Sequence, residues 1–112
     1  MRLLIAIDED RGLDSKLSQH FGHCSYFAIY ETDTEKLEII PNEIDHSNPN
    51  LTPVDQLAKY KLDMIFSLGM GQRAIELFNQ KKIKIKTGDY TTVKEVIENL
   101  ETLKDLDFSC VH

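Results

Sequence analysis

Cysteine is scarce in this sequence, which holds only Cys24 and Cys110 among its 112 residues. The two lie far apart in a chain without an export signal, so free thiols are a better interpretation than a structural disulfide. Two cysteines also exclude a permanent iron–sulfur cluster held by four thiolates. The Cys-x-x-Cys spacing typical of structural zinc sites is missing too, so a closed cysteine cage for a metal is not predicted.

Basic residues and long apolar runs are also in short supply. The 13 lysines and arginines face 19 acidic residues, giving a formal net charge of -6. A chain of that charge is poorly suited to neutralising phosphates, so we expect no nucleic-acid partner. No apolar run approaches the roughly 18 residues needed to span a bilayer, and the first residues lack a signal-peptide pattern. We therefore expect a cytoplasmic protein without a membrane partner.

The apolar content is sufficient for one hydrophobic core. With 41% hydrophobic residues in 112, the chain is long enough for one domain and too short for two. We expect a single domain over residues 1–112, with a core of about 1–104 and a C-terminal tail, 105–112. A monomer or a weak homodimer is the expected state.

Hydrophobic periodicity predicts an α/β fold with a five-stranded mixed sheet flanked by about three helices. Short apolar or alternating runs predict strands at 3–7, 26–30, 37–40 and 64–66, and one around Ile83 and Ile85. Helical spacing and capping patterns predict helices that begin near Thr52, Gln72 and Thr92. A hairpin followed by right-handed crossovers points strands one, three, four and five the same way. Their carboxyl ends then share one edge, where ligands usually bind in such sheets.

Residues 18–24 carry the most suggestive side chains at that edge. They supply two imidazoles and a thiol, from His20, His23 and Cys24, which are ligands suited to zinc, iron or an iron–sulfur species. The loop cannot complete a four-ligand site, so partial ligation of a cluster by one to three protein groups is the open interpretation. The structural alternative makes Phe21 a core anchor, Gly22 a turn residue with positive φ, and Cys24 a small buried residue.

A glycine turn, Gly69-Met70-Gly71, is expected to converge on the same edge, together with the stretch 45–47. Backbone N–H groups at the start of the following helix would favour an anion, and Arg73 adds positive charge in the first turn. A tight strand-to-helix turn is the structural alternative. Met70 is either core packing or a weak thioether ligand, and packing is the favoured interpretation.

The end of the chain offers a further thiol and imidazole, Cys110 and His112. The third helix carries the chain away from the candidate edge, but an extended tail from 105 to 112 spans about 25 Å and would be long enough to return. Cys110 and His112 are therefore candidate metal ligands, with an unattached terminus as the alternative.

Two motifs and their order along the chain resemble the dinitrogenase iron-molybdenum cofactor biosynthesis family, which includes NifX-like carriers. The resemblance covers about residues 1–100. It is carried by Ser18-x-His20-Phe21-Gly22 after the first strand, Tyr26-Phe27 in the second, and Gly69-Met70-Gly71-x-Arg73-Ala74 after the fourth.

The resemblance implies a ribonuclease H-like fold and a role in carrying or protecting an iron–sulfur precursor of the nitrogenase cofactor. It implies that His20 is a candidate cluster ligand and that Gly69, Met70 and Gly71 form the wall of the same site. Relatives often hold glycines after the third strand, whereas this chain has 42–50 with His46.

Three functions follow as alternatives. The first is a non-enzymatic carrier or scaffold for an iron–sulfur or iron–molybdenum cluster precursor, with cluster donor or acceptor proteins as partners and zinc as the alternative metal. The second is a regulatory module that binds a small anion or a partner protein in the same crevice. The third, least favoured, is metal-dependent phosphoryl transfer using Asp8 and Asp10, which the -6 charge and the lack of converging carboxylates oppose.

Overall fold

One mixed sheet organises the protein, whose computed structural model describes residues 1–47 and 50–106. Within these ranges the sheet has six strands in the order β3-β2-β1-β4-β5-β6. The strands are β1 (Arg2–Ile7), β2 (Tyr26–Glu31), β3 (Lys36–Pro41), β4 (Met64–Phe66), β5 (Lys84–Thr87) and β6 (Lys104–Asp105). The helices are α1 (Pro53–Leu57), α2 (Gln72–Gln80) and α3 (Val93–Glu98). This arrangement confirms the predicted mixed α/β architecture.

Strand directions bring four carboxyl ends to one edge of the sheet. β2 is antiparallel to β1 and to β3, whereas β4 is parallel to β1 and β5 is parallel to β4. Strands β1, β3, β4 and β5 therefore run the same way, as the pattern of hairpin and crossovers predicts. We call the side of the sheet where they end the carboxyl edge.

The prediction of five strands was wrong, because the sheet contains a sixth, short strand, β6. β6 pairs antiparallel to β5, with Asp105 opposite Lys86 and Lys104 opposite Thr87. The Lys86 ammonium donates a hydrogen bond to the Asp105 carboxylate across this pair. A strand of two exposed residues has no hydrophobic alternation, so no periodic signal marks it in the sequence.

The sheet is covered on both faces, and this explains the continuous apolar run of β1. Leu4 and Ala6 belong to a buried cluster on the face covered by α1 and α2, together with Val54 of α1 and Phe78 of α2. The alternate residues Leu3, Ile5 and Ile7 belong to a second cluster on the other face, with Val93 and Val96 of α3. No helix in ranges 1–47 and 50–106 is long and apolar enough to cross a membrane.

Side-chain caps fix the starts of two helices where the sequence predicts them. The Thr52 side chain accepts from the Asp55 amide and the Asp55 carboxylate accepts from the Thr52 amide, with Pro53 at the first turn of α1. At α3 the Thr92 hydroxyl accepts a hydrogen bond from the Glu95 amide. The bonds are reciprocal at α1 only, and at both helices they satisfy amides that would otherwise lack partners at the helix start.

The long connection 8–23 is tied to both sides of the molecule. The Leu17 amide donates to the Thr91 carbonyl at 2.9 Å, and the Val93 amide of α3 donates to the Ser15 carbonyl at 3.1 Å. At its other end the Phe21 amide donates to the Gly69 carbonyl at 3.2 Å. The connection therefore crosses the carboxyl edge from the start of α3 to the turn before α2.

Candidate functional site

A cleft of about 490 Å³ lies at the carboxyl edge, on the side of α1 and α2. One wall is the segment 19–23, which follows β1 in the chain, and the other is the turn 69–71, which follows β4. Pro53 and Ala74, from the starts of α1 and α2, complete the lining. The structure thus brings together the histidine-containing loop and the glycine turn.

A second depression of about 560 Å³ lies at the same edge, and Gln19 and Leu68 belong to its lining. The rest of its lining is Lys104 and the segment 87–91, which begins at the last residue of β5. It contains no imidazole or thiol, so its chemistry is less suited to a metal species than that of the first cleft.

Ser18 explains the geometry of the Ser-x-His motif. Its hydroxyl accepts a hydrogen bond from the His20 amide and donates one to the His20 carbonyl, both at 3.2 Å. Ser18 itself is buried, whereas His20 is exposed and lines the cleft. A buried hydroxyl therefore folds the backbone locally so that the imidazole is presented to solvent.

Phe21 anchors the same wall in the core. It is 3% exposed, and its ring lies 5.6 Å from the Phe27 ring and 5.6 Å from the Phe78 ring, edge-on to the latter. Phe21 begins the 3-10 turn Phe21–His23, which leaves His23 exposed at the cleft. The core-anchor interpretation of Phe21 is confirmed, and the two imidazoles lie on either side of it along the chain.

The opposite wall depends on Gly69. A Cβ atom at this position would lie 2.8 Å from the Gln19 carbonyl oxygen, so only glycine permits the two walls to approach so closely. The Ser67 hydroxyl donates to the Gly69 carbonyl at 2.7 Å and accepts from the Gly69 amide at 3.3 Å. Ser67 thus folds this turn as Ser18 folds the other. Sequence reasoning missed Ser67, although the shared Ser-x spacing before His20 and Gly69 was a usable signal.

Gly71 opens α2 without a side-chain cap. Its φ is -63° and its ψ is 147°, no described side chain caps the helix start, and the first turn contains no acidic residue. The first amides of α2 consequently lack acceptors within the helix, and the partial positive charge there favours an anion. Arg73 is exposed in this first turn but does not line the cleft. Its charge therefore acts on the site from a distance.

Met70 and Gly22 differ in how far they follow expectation. Met70 lines the cleft but is only 8% exposed and belongs to the α1/α2 core cluster, as the packing interpretation predicts. The expected positive φ at Gly22 was wrong, since Gly12 is the one described glycine with that conformation. A Cβ at Gly22 would lie 3.4 Å from Cε1 of His46, which is close to van der Waals contact with that ring.

Cys24 is placed in the core and not in the cleft. It is 3% exposed, its thiol donates to the Phe21 carbonyl at 3.1 Å, and the Asn42 amide lies 3.7 Å from its sulfur. Burial, the largest cause, raises the pKa of the Cys24 thiol to about 11. A neutral, buried thiol is a poor metal ligand, so we remove Cys24 from the proposed ligand set.

We expect Cys24 to resist alkylation. In a Cys110→Ser variant, where Cys24 is the remaining thiol, iodoacetamide at pH 7.5 should label the folded protein far more slowly than the protein in urea. Because the pKa of the Cys24 thiol is raised, its contribution to the free energy of unfolding is complete below about pH 9. That contribution is lost as the pH rises towards 11. Equal labelling rates with and without urea would contradict the buried placement.

His46 joins the site from the loop after β3. Its Nε2 lies 2.9 Å from the Gly22 carbonyl oxygen, and its ring stacks on that of His23, with centroids 4.9 Å apart and planes at 24°. The expected convergence of the stretch 45–47 on this edge is therefore found. His46 does not line the cleft itself.

A ready-made metal site is not formed by the part of the chain that the structure describes. There, no three His, Cys, Asp or Glu side chains come close enough together to hold a metal ion. Closed zinc coordination and a two-metal carboxylate centre built on Asp8 and Asp10 both need such a group. The predicted ligands Cys110 and His112 lie outside the described residues. β6 runs antiparallel to β5, so at Leu106 the chain is directed away from the carboxyl edge.

Comparison with known proteins gives one family, from a family model, and one fold, from solved structures. A family model described as dinitrogenase iron-molybdenum cofactor matches residues 1–103. The crystal structure of PH0822 is 28% identical, covers 98% of both chains and superposes with a TM-score of 0.77. TM1290 from Thermotoga is 24% identical over 94% of this chain and 92% of its own, with a TM-score of 0.76. The apo form of the orange protein from Desulfovibrio gigas is 18% identical over the same shares, with a TM-score of 0.75. No curated protein sequence matches the chain.

Proposed function

Because the chain belongs to the dinitrogenase iron-molybdenum cofactor family, we propose that it is a carrier or scaffold for an iron–sulfur or iron–molybdenum cluster precursor. The observation that carries this proposal is that exposed His20 and His23 line the same cleft as the glycine turn before α2. The orange protein, which shares the fold, is described in an apo form. The cluster is cargo that the protein receives and releases.

The ligands at the cleft suit partial ligation. Imidazole nitrogen binds iron well, and a cluster that brings its own sulfides needs only one or two ligands from the protein. His20 and His23 are both exposed, so their ring nitrogens are accessible to a cluster entering from solvent. The cleft of about 490 Å³ is also of the size that holds small-molecule ligands.

The opposite wall suits the negative charge of such a cluster. The uncapped start of α2 offers backbone amides and a partial positive charge, and Arg73 adds a formal positive charge in the same turn. Phe21 and Met70 provide an apolar floor, which weakens the screening of these interactions by water. A chain with a net charge of -6 thus offers an anion a locally favourable place.

Anaerobic reconstitution with ferrous iron and sulfide tests the proposal. Wild-type protein should take up iron and sulfide and gain charge-transfer absorbance, whereas the His20→Ala, His23→Ala variant should lose most of both. Gln80→Ala, an exposed change at the far end of α2, is the matched control and should load like wild type. Equally low uptake by wild type and the double variant would refute the carrier function.

The uncapped helix start also supports the second candidate, a module that binds a small anion. If the protein purified without oxygen contains no metal but is thermally stabilised by phosphate, the anion-binding function replaces the carrier function. Stabilisation that requires iron and sulfide would favour the carrier.

Several sequence-based expectations remain predictions. They are the ribonuclease H-like classification, a single domain over 1–112, a cytoplasmic location and a monomer or weak homodimer. Cluster donor or acceptor proteins remain the proposed partners, and zinc remains the alternative metal. We do not propose phosphoryl transfer, because the described acids form no group able to hold a metal ion.

A further inference from the structure

His46 makes two contacts with the histidine wall of the cleft. Its Nε2 lies 2.9 Å from the Gly22 carbonyl oxygen, and since a carbonyl only accepts, this nitrogen carries the proton. Its ring lies almost parallel to the His23 ring at a centroid separation of 4.9 Å. One side chain therefore contacts both the backbone of the turn and the imidazole that the turn presents.

The loop that carries His46 is itself fixed by α1. The Gln56 side chain accepts from the Asp45 amide at 2.8 Å and donates to the Asp45 carbonyl at 2.9 Å. The Asp45 carboxylate accepts from the Ser47 hydroxyl and, at 2.9 Å, from the Ser47 amide, and these two bonds lower the pKa of Asp45. The two Gln56 bonds therefore attach the backbone of Asp45, the residue before His46, to α1.

Asn42 also bonds the backbone of the turn that carries His23. The Asn42 side-chain amide donates to the Gly22 carbonyl at 3.3 Å and to the Cys24 carbonyl at 2.8 Å. The Gly22 carbonyl therefore accepts from both ends of the segment after β3. These bonds fix the backbone of the turn that carries His23, and the His46 ring contacts the His23 ring itself by stacking.

We propose that His46 is a positioning residue that stacks on His23 and bonds the Gly22 carbonyl, so that the His23 imidazole is held ready for the cluster. The inference rests on the proposed function, because it names the group that orients one of the two ligands of that site. It also distinguishes His46 from His20 and His23, which line the cleft. An oriented ring loses less rotational freedom on binding, so cargo binds more tightly.

Three variants separate the ring from the hydrogen bond. His46→Ala removes both, His46→Phe keeps a stacking ring without a donor, and His46→Gln keeps a donor without a ring. Because His46 is exposed, each variant should remain folded by circular dichroism. Loading is measured by titration with ferrous iron and sulfide, and ring geometry by the proton chemical shifts of His23 in the cargo-free protein.

In wild type, stacking should move the His23 ring signals upfield, and His46→Ala should return them to ordinary values. We expect His46→Ala to weaken iron binding about 10-fold or more, the loss typical of removing an orienting partner. His46→Phe should keep the shift and recover most of the loading. Loading by His46→Ala equal to wild type would overturn the inference. So would a His46→Phe variant that keeps the shift but fails to load, since His46 would then be a ligand.

Failure of the proposed function gives a different result. If wild type takes up no iron, the carrier function is lost whatever the His23 shifts show. If wild type loads but its His23 signals are already at ordinary values, the carrier function stands and the positioning role of His46 is lost.

Discussion

Replacing Phe78 with alanine should lower the free energy of unfolding by about 3–5 kcal/mol, the range for deleting a fully buried phenylalanine ring. Phe78 is 0% exposed in α2 and packs against the sheet. Its ring also meets the Phe21 ring edge-on, at 5.6 Å and 89°. The loss should be measured by urea denaturation. Glu76→Ala, an exposed change on the same helix, should alter stability by no more than about 0.5 kcal/mol.

The same change should also loosen the cleft. Phe21 belongs to the cleft lining, so removing its edge-on partner leaves a void beneath the histidine wall. Iron uptake should fall in Phe78→Ala even at a temperature where the protein is still folded. A loss of stability below about 1 kcal/mol would contradict the core placement of Phe78. Normal iron uptake would show that packing at Phe78 does not affect the cleft.

A Gly69→Ala variant should show the second large effect, on both stability and loading. Its Cβ would lie 2.8 Å from the Gln19 backbone oxygen, and neither backbone can yield without moving a wall of the cleft. Overpacking of this kind costs about 1–3 kcal/mol. The displacement should also weaken the bond from the Phe21 amide to the Gly69 carbonyl.

Gly71→Ala is the matched control for Gly69→Ala, two residues away in the same turn. Nothing lies within 4 Å of a Cβ at Gly71, and its φ of -63° suits any residue. Thermal unfolding should rank wild type and Gly71→Ala close together, with Gly69→Ala clearly lower, and iron uptake by Gly69→Ala should fall below that of wild type. Equal behaviour of the two variants would show that the close approach at Gly69 is unimportant.

Much of the fold could be predicted because its signals are local. The apolar run of β1, the capping pattern at Thr92 and the spacing of Ile75 and Phe78 each specify an element from neighbouring residues. The order of these elements then determines the shared carboxyl edge through general handedness rules. The convergence of the histidine loop with the glycine turn follows from that edge.

The remainder depends on contacts between residues distant in the chain. β6 exists only through pairing with β5, and the stack of His46 on His23 joins loops from different strands. Cys24 has the same sequence neighbours whether it binds metal or packs in the core. Its placement follows from Asn42 and from the carbonyl of Phe21. Neither partner is recognisable before the chain is folded.

The connection 8–23 is fixed at one end to α3 and at the other to the turn before α2, yet it leaves both imidazoles exposed. Cargo held there would be reached directly from solvent, since no other segment within residues 1–47 and 50–106 covers the two imidazoles. An acceptor protein could then take the cluster by ligand exchange at the surface while every backbone bond of the donor stays in place. Such a donor would release the cluster without unfolding and could bind another cluster without refolding.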